Sequence, residues 1–224
     1  MKTNILLLLI WTACEMAFAQ APADPAQSIR ELKDGVLVVR LRTQSNKIAS
    51  LKEYIAKEPA GSPTASRLAA QLKETEEEVA TENRLLVMAF REMYQFSAVL
   101  FVADTLAPRL KEQDPGGIFL DESLLPDPSR SIGQRPFLVA GMGTASYSDA
   151  AAGNDESLVV YDRNFNRMAK PFPSYSSVTA ISLLFKRLTR SEDEVEVFHY
   201  RKMVSRLDRR LRQYYLSVVS AGGG

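Results

Sequence analysis

The stretch Gly35-Val36-Leu37-Val38-Val39-Arg40-Leu41-Arg42 decides the fold class. It follows Asp34, is rich in β-branched residues, and opens with four consecutive apolar side chains. That pattern predicts a strand covered on both faces, with its far end emerging where Arg40 and Arg42 alternate with Leu41. A strand buried on both sides needs helices or other chain above and below it. The helical periodicity that follows supplies them. Ile48, Leu51 and Ile55 fall on one helix face, and Pro59-Ala60-Gly61-Ser62-Pro63 ends that helix. Ser62 then caps a longer helix with Pro63 in its first turn, predicted to run to Tyr94. Ala65, Leu68, Leu72, Thr75, Val79, Leu86, Ala89 and Met93 form its apolar stripe, broken by Glu82. A stripe that contains Thr75 and Glu82 suits packing within the chain better than a coiled-coil seam. The run of Glu74, Glu76, Glu77 and Glu78 suits a solvated face.

Further along, Ala98-Val99-Leu100-Phe101-Val102 and Pro136-Phe137-Leu138-Val139-Ala140-Gly141 read as buried strands. Between them lie a short helix from Leu106 to Gln113, a brief strand or turn at Ile118-Phe119-Leu120, and a loop at Pro126-Asp127-Pro128-Ser129. Ser146 through Asp155 reads as an exposed loop. Leu158-Val159-Val160-Tyr161 is a strand entering a hairpin turn at Asp162-Arg163-Asn164-Phe165-Asn166. Pro171-Phe172-Pro173 redirects the chain, and Ile181 to Leu188 fits strand or helix equally. Val197, Tyr200, Val204, Leu207, Leu211, Tyr214 and Val218 then recur at three- and four-residue steps, the mark of an amphipathic C-terminal helix. The expected fold is α/β: a mixed β-sheet flanked by helices, thioredoxin-like or a related α/β sandwich, in one domain over residues 34–220. Residues 20–33 read as a leader and 221–224 as a flexible tail.

The N-terminus reads as an export signal. Lys2 is a short positive start, Ile5 to Ala13 carries no charge, and Ala17-Phe18-Ala19 is the small-x-small pattern of a cleavage site. Residues 1–19 are thus expected to leave, giving a periplasmic or secreted chain. Cys14, preceded by Ala13, offers an alternative, a lipoprotein anchored through that cysteine. The apolar run is too short to span a bilayer, and no other window approaches the roughly 20 apolar residues required.

Composition removes much chemistry. The chain has 224 residues, 46% hydrophobic and 25% charged, with 28 Lys and Arg against 27 Asp and Glu. This is a globular balance, and a net charge of +1 gives no basic excess for a nucleic acid. One cysteine cannot form an intramolecular disulfide, and one histidine cannot build a multi-histidine metal site.

The element order is similar to the thioredoxin fold. The redox pair such a fold would carry after its first strand is replaced by Thr43-Gln44-Ser45-Asn46-Lys47, so the resemblance implies a scaffold without that chemistry. The chain also resembles uncharacterised exported proteins of the Bacteroidota type, a domain of unknown function. The resembling segments are Asp34-Gly35-Val36-Leu37-Val38-Val39-Arg40-Leu41, the strand from Phe96 to Asp104, Ile118-Phe119-Leu120, and Tyr161 to Tyr175 with Pro171-Phe172-Pro173. This resemblance implies an envelope protein and carries over no catalytic residue.

Candidate sites follow from residue type and position. Gly141-Met142-Gly143-Thr144-Ala145-Ser146 looks like a phosphate cradle, which needs a helix to begin there. Tyr147-Ser148-Asp149 and an alanine-rich loop follow instead, so the two glycines are expected to let a strand end turn sharply. Ser146 as a nucleophile would need His199, which is expected on an exposed face of the last helix. Asp104, Asp121 and Glu122, near strand ends, are the carboxylates placed to act as an acid/base pair. Asp104 equally suits an N-cap for a helix starting at Thr105. Arg201, Lys202, Arg206, Arg209 and Arg210 form a basic face for an unknown envelope protein or an anionic surface. The expected function is therefore a non-enzymatic binding or interaction domain of the envelope, without cofactor or nucleic acid. The alternative is a hydrolase-type enzyme using sheet-edge carboxylates on a small molecule or glycan.

Overall fold

The computed structural model describes residues 23–112, 116–144, 156–178 and 191–222. The expected cleavage site at Ala17 and Ala19, Cys14, Ser146 and the ambiguous segment 181–188 lie outside them.

The described chain opens with α1 (Pro25–Asp34), where a leader was expected. The Asp24 carboxylate accepts from the backbone N–H groups of Ala26 and Gln27 at 3.2 and 3.1 Å, and Pro25 starts the first turn. This side-chain cap at a helix N-terminus is strong local punctuation. Ser28, Ile29 and Leu32 then fall on one buried face. The segment packs because that three-residue spacing reaches the sheet, although Ala, Pro and Gln dominate the residues before it.

β1 (Val36–Leu41) is buried throughout except at Arg40. α2 (Ser45–Lys57) and α3 (Pro63–Met93) pack against each other as a helical hairpin, which a Lys52–Glu76 ion pair of 3.0 Å also crosses. Ser62 caps α3 as its sequence predicts, its hydroxyl accepting from Ala65 N–H at 3.0 Å. β2 (Ala98–Ala103) follows, then a single 3-10 turn (Ala107–Lys111) where a fuller helix was expected, and β3 (Phe119–Leu120). β4 (Phe137–Thr144) and β5 (Glu156–Tyr161) pair in antiparallel, and β6 (Tyr175–Ser176) is an edge that no sequence pattern announces. α4 (Glu192–Gly222) ends the described chain, continuing one residue past Ala221, where a tail was expected to begin.

The six strands form one mixed sheet in the order β3-β2-β1-β4-β5-β6. β1 lies parallel to both β2 and β4, while β3, β5 and β6 are antiparallel to their neighbours. Alternation along β1 divides the core. Leu37, Val39 and Leu41 face α1, α3 and α4, meeting Ile29, Leu86, Phe90, Met203 and Leu207. Val36 and Val38 face the opposite layer, where Leu110, Ile118, Phe119 and Ile132 come from the 3-10 turn and the loops around β3. Helices thus cover one face, and loop chain the other.

The glycines expected to turn the chain at Gly141 and Gly143 do not. Both lie inside β4, paired with Val159 and Ser157 of β5. No helix begins at residues 141–144, so these residues lack the row of convergent N–H groups that a phosphate cradle needs.

Candidate functional site at the carboxyl end of the sheet

β1, β2 and β4 all point their carboxyl ends the same way, and chain leaves β1 and β4 toward opposite edges. The crevice at such a reversal is where open α/β sheets place ligands. Polar residues from five elements meet there.

Gln44 sits in the left-handed region at φ 47° and turns the chain from β1 into α2. Its side chain makes no capping bond; Thr43 does that work instead, its hydroxyl accepting from Ser45 N–H at 3.4 Å. The same hydroxyl donates to Asp104 Oδ1 at 2.5 Å, and Thr43 N–H donates to that oxygen at 3.2 Å. Asp104 therefore staples the end of β2 to the β1–α2 turn. It is not an N-cap, because the 3-10 turn starts later, after Leu106.

Alongside, the Asn83 amide donates to the Arg42 carbonyl at 2.7 Å, fixing α3 to the end of β1. The Arg42 guanidinium pairs with Glu156 at the start of β5. Glu82, half-buried on α3, has its carboxyl pushed above the usual range. Burial is the main cause and Glu156 the next; Arg42 pulls the other way, while Glu78 and Glu196 add to the rise. Tyr200 of α4 feels the same charges. Burial raises its hydroxyl first, then Glu82, Glu156 and Glu196, against a lowering by Arg42. Perturbed groups of this kind occur both in functional sites and in structural ion-pair networks.

The predicted carboxylate constellation is not assembled. The β2–β3 register pairs Phe101 with Leu120, which sets Asp121 opposite Leu100, four residues from Asp104 and so about 13 Å away along the strand. Asp121 holds a turn, accepting from Ser123 and Leu125 N–H at 2.8 and 2.9 Å. Glu122 pairs with Arg91 at 2.9 Å. Glu156 is the carboxylate that does pair with Arg42, and Glu82 on α3 feels the charge of both. Glu82 was visible in the sequence as the charge interrupting the α3 stripe; Glu156, beside a predicted loop, gave no signal.

The basic face of α4 is largely engaged within the chain. Arg201 forms a two-pronged pair with Glu92 of α3 at 2.6 and 2.9 Å. Arg206 donates to the Ser177 carbonyl at 2.7 Å, and Arg210 to that of Tyr175 at 2.5 Å. Lys202 lies 5.2 Å from the Phe198 ring centre, and Arg209 is exposed. His199 is half-buried, edge-on to the Tyr200 ring at 5.6 Å, rather than on an exposed face.

Two clefts formed by the described residues lie elsewhere. One of about 460 Å³ borders Arg84, Met88, Arg91 and Glu122 on the outer side of α3. The other, about 590 Å³, lies between α1 and the starts of β4 and the Asp162 turn. Among the described residues no three His, Cys, Asp or Glu side chains gather closely enough to hold a metal ion. No helix among them is long and apolar enough to cross a membrane.

What the chain is, at the level the fold defines, is a mixed α/β sandwich with a polar cluster at the carboxyl end of its parallel strands. Compared with protein-family models, curated proteins and solved structures, it matches none.

Proposed function

We propose that the protein is an exported binding domain of the cell envelope, periplasmic or secreted, built on an α/β sandwich related in strand order to the thioredoxin fold and without a redox pair. Its contact surface is the carboxyl end of the sheet. The central strands run β2-β1-β4-β5, the neighbour order of a thioredoxin-like core. Two features depart from that core: β4 lies parallel to β1, where the corresponding strand would be antiparallel, and a single 3-10 turn stands between β2 and β4 in place of a full helix. The observation that carries the reading is the Thr43–Asp104 staple, which occupies the place a dithiol would take and presents Gln44 and Ser45 beside an acidic cluster.

Crosslinking in the native envelope tests this. A photoreactive side chain at Gln44 is expected to trap a discrete adduct, whereas one at the exposed Arg163, at the opposite end of the sheet, traps none. Equal labelling at both positions, or none at either, overturns the assignment of the surface. Mass measurement and fractionation of the same material separate a cleaved chain starting at Gln20 from one lipidated at Cys14.

The raised carboxyl of Glu82 beside Glu156 favours a second reading, an enzyme that uses this pair as acid and base on a small molecule or glycan. It takes the place of the Asp104 and Asp121 pairing, which the register separates. Loss of turnover in Glu82→Gln with unchanged crosslinking at Gln44 would support it.

A further inference from the structure

Two guanidiniums meet one ring at the β6 edge of the sheet. Arg167 lies 5.1 Å and Arg210 5.4 Å from the ring centre of Tyr175. Arg210 also donates to the Tyr175 carbonyl at 2.5 Å, and Arg206, one turn earlier on α4, donates to the Ser177 carbonyl at 2.7 Å. Lys170 sits at the tip of a loop whose two ends, Met168 and Ser174, are both hydrogen-bonded to Val160 of β5, at 3.2 and 2.8 Å. Arg167 and Lys170 are exposed, and Arg206 and Arg210 half-buried.

The charge of these four groups is unmatched. A backbone carbonyl takes one N–H from a guanidinium and leaves its charge and its other donors free. Arg201 and Arg212 of the same helix find carboxylates, Glu92 and Asp208. Among the described residues none lies within ion-pairing distance of Arg167, Lys170, Arg206 or Arg210. The sequence explains why. No Asp or Glu stands between Asn164 and Arg190, and Asp208 is held by Arg212 and the Gln95 N–H. The chain as a whole is nearly neutral, at +1, so this edge is a local excess.

The placement of the cations selects the partner. A peptide adding as a strand would need the carbonyls of Tyr175 and Ser177, and both are taken by arginines. A single small anion cannot answer charges strung along an edge from two elements, and none of the four lines either cleft described above. A plane of many anionic headgroups gives each cation its own phosphate. We propose that the β6 edge is a membrane-docking surface, resting on a bilayer that contains anionic phospholipid. Arg167 and Lys170 reach the phosphates, and Arg206 and Arg210 hold β6 as the base beneath them while adding their charge. This surface is separate from the carboxyl end of the sheet and does not rest on the reading of that end.

The test sediments the full chain with phosphatidylcholine vesicles, with and without phosphatidylglycerol. Cys14→Ser is present throughout, so that no acyl chain contributes, and the neutral vesicles measure whatever the apolar N-terminal stretch adds. Binding at low salt is expected to require phosphatidylglycerol and to be lost at high salt. Arg167→Gln and Lys170→Gln should each weaken it about fivefold. Arg67→Gln makes the same charge change on an exposed part of α3 and should leave binding unchanged. Both substituted edge residues are exposed, and urea midpoints confirm that the variants fold. Absence of phosphatidylglycerol-dependent binding overturns the proposal, as does an equal loss in Arg67→Gln, which would reduce the effect to net charge. Release of the protein by inorganic phosphate, but not by chloride at the same ionic strength, would overturn it in favour of a small-anion site. Tighter binding to a Glu-rich peptide than to the vesicles would overturn it in favour of an acidic protein.

Discussion

Arg42 and Glu156 stand two strands apart in the sheet, at the end of β1 and the start of β5, and close an ion pair across the carboxyl end of β4. Each side chain is 37% exposed, so the pair itself contributes little, about 0.5 kcal/mol. Its consequence falls on Glu82, which feels burial and Glu156 raising its pKa and only Arg42 lowering it among its stronger neighbours. A carboxyl raised in the folded state favours folding while protonated and loses that advantage as pH rises through its folded value. Glu82→Gln is therefore expected to raise the urea midpoint at pH 7. Below about pH 4.5, the ordinary value of the side chain, variant and parent should converge. Unfolding curves at pH 4 and pH 7 decide it; a gain of the same size at both would show that ionisation is not the cause.

Gly35 joins α1 to β1 at a close approach of backbone to backbone. A Cβ there would lie 2.3 Å from the Pro136 carbonyl oxygen and 2.7 Å from that of Glu31. Neither atom is the end of a flexible side chain, and Pro136 also receives the Val36 N–H at 3.0 Å. Gly35→Ala is expected to cost about 3 kcal/mol, since two backbones must part to admit one methyl. Gly141→Ala, whose Cβ would meet Arg40 at 3.4 Å or beyond, should cost less than about 1 kcal/mol. Denaturant midpoints compare the two directly.

Elements whose own residues dictate them were legible. Val36–Leu41 reads as a doubly covered strand, Ser62-Pro63 as a helix start, and the stripe from Val197 to Val218 as a helix, because burial there repeats with the period of the structure. α1 was hidden because a ten-residue helix with two large buried side chains carries too little periodicity to stand out. β4 was read too short, since glycines normally mark turns, and only pairing with β5 keeps Gly141 and Gly143 extended. The site was the least legible part. Its contacts, Thr43 with Asp104, Asn83 with Arg42 and Arg42 with Glu156, join residues far apart in sequence that come together only through the strand order and the helix laid on it. Asp121 was misread as a partner of Asp104 because an antiparallel register cannot be seen in local sequence.

Arg210 belongs to the scaffold. Its guanidinium donates to the Tyr175 carbonyl and lies 5.4 Å from the Tyr175 ring centre, with Arg167 at 5.1 Å on the same ring. β6 is only two residues long, so this grip from α4 holds the edge of the sheet in place. Arg210→Ala is expected to cost about 1–2 kcal/mol and to speed exchange of the amides that pair β5 with β6. Arg209→Ala, an exposed neighbour, should do neither. Hydrogen exchange read by mass spectrometry separates them, and unchanged protection in Arg210→Ala would return the residue to the pool of free surface cations.

The hairpin arm and the domain core should unfold by separate routes. Leu207 is fully buried between α4 and the sheet, among Leu86, Phe90 and Met203 in one continuous apolar cluster. Leu51 is the buried residue of α2, and α2 packs on α3. On α3 the partners it can reach are thin: Ala65, Leu68 and Leu72 are half-buried, and Thr75 turns its hydroxyl back to the Gln71 carbonyl at 2.8 Å. Leu207→Ala removes contacts on which the whole sheet depends and is expected to cost about 3–4 kcal/mol of global stability. Leu51→Ala removes the central knob of a two-helix seam. It should speed exchange across residues 45–57 and the first half of α3, while the midpoint reported by near-ultraviolet signals from the core moves far less. If both substitutions lower the core midpoint equally, the arm is part of the cooperative unit, and its seam must be stabilised from outside the hairpin.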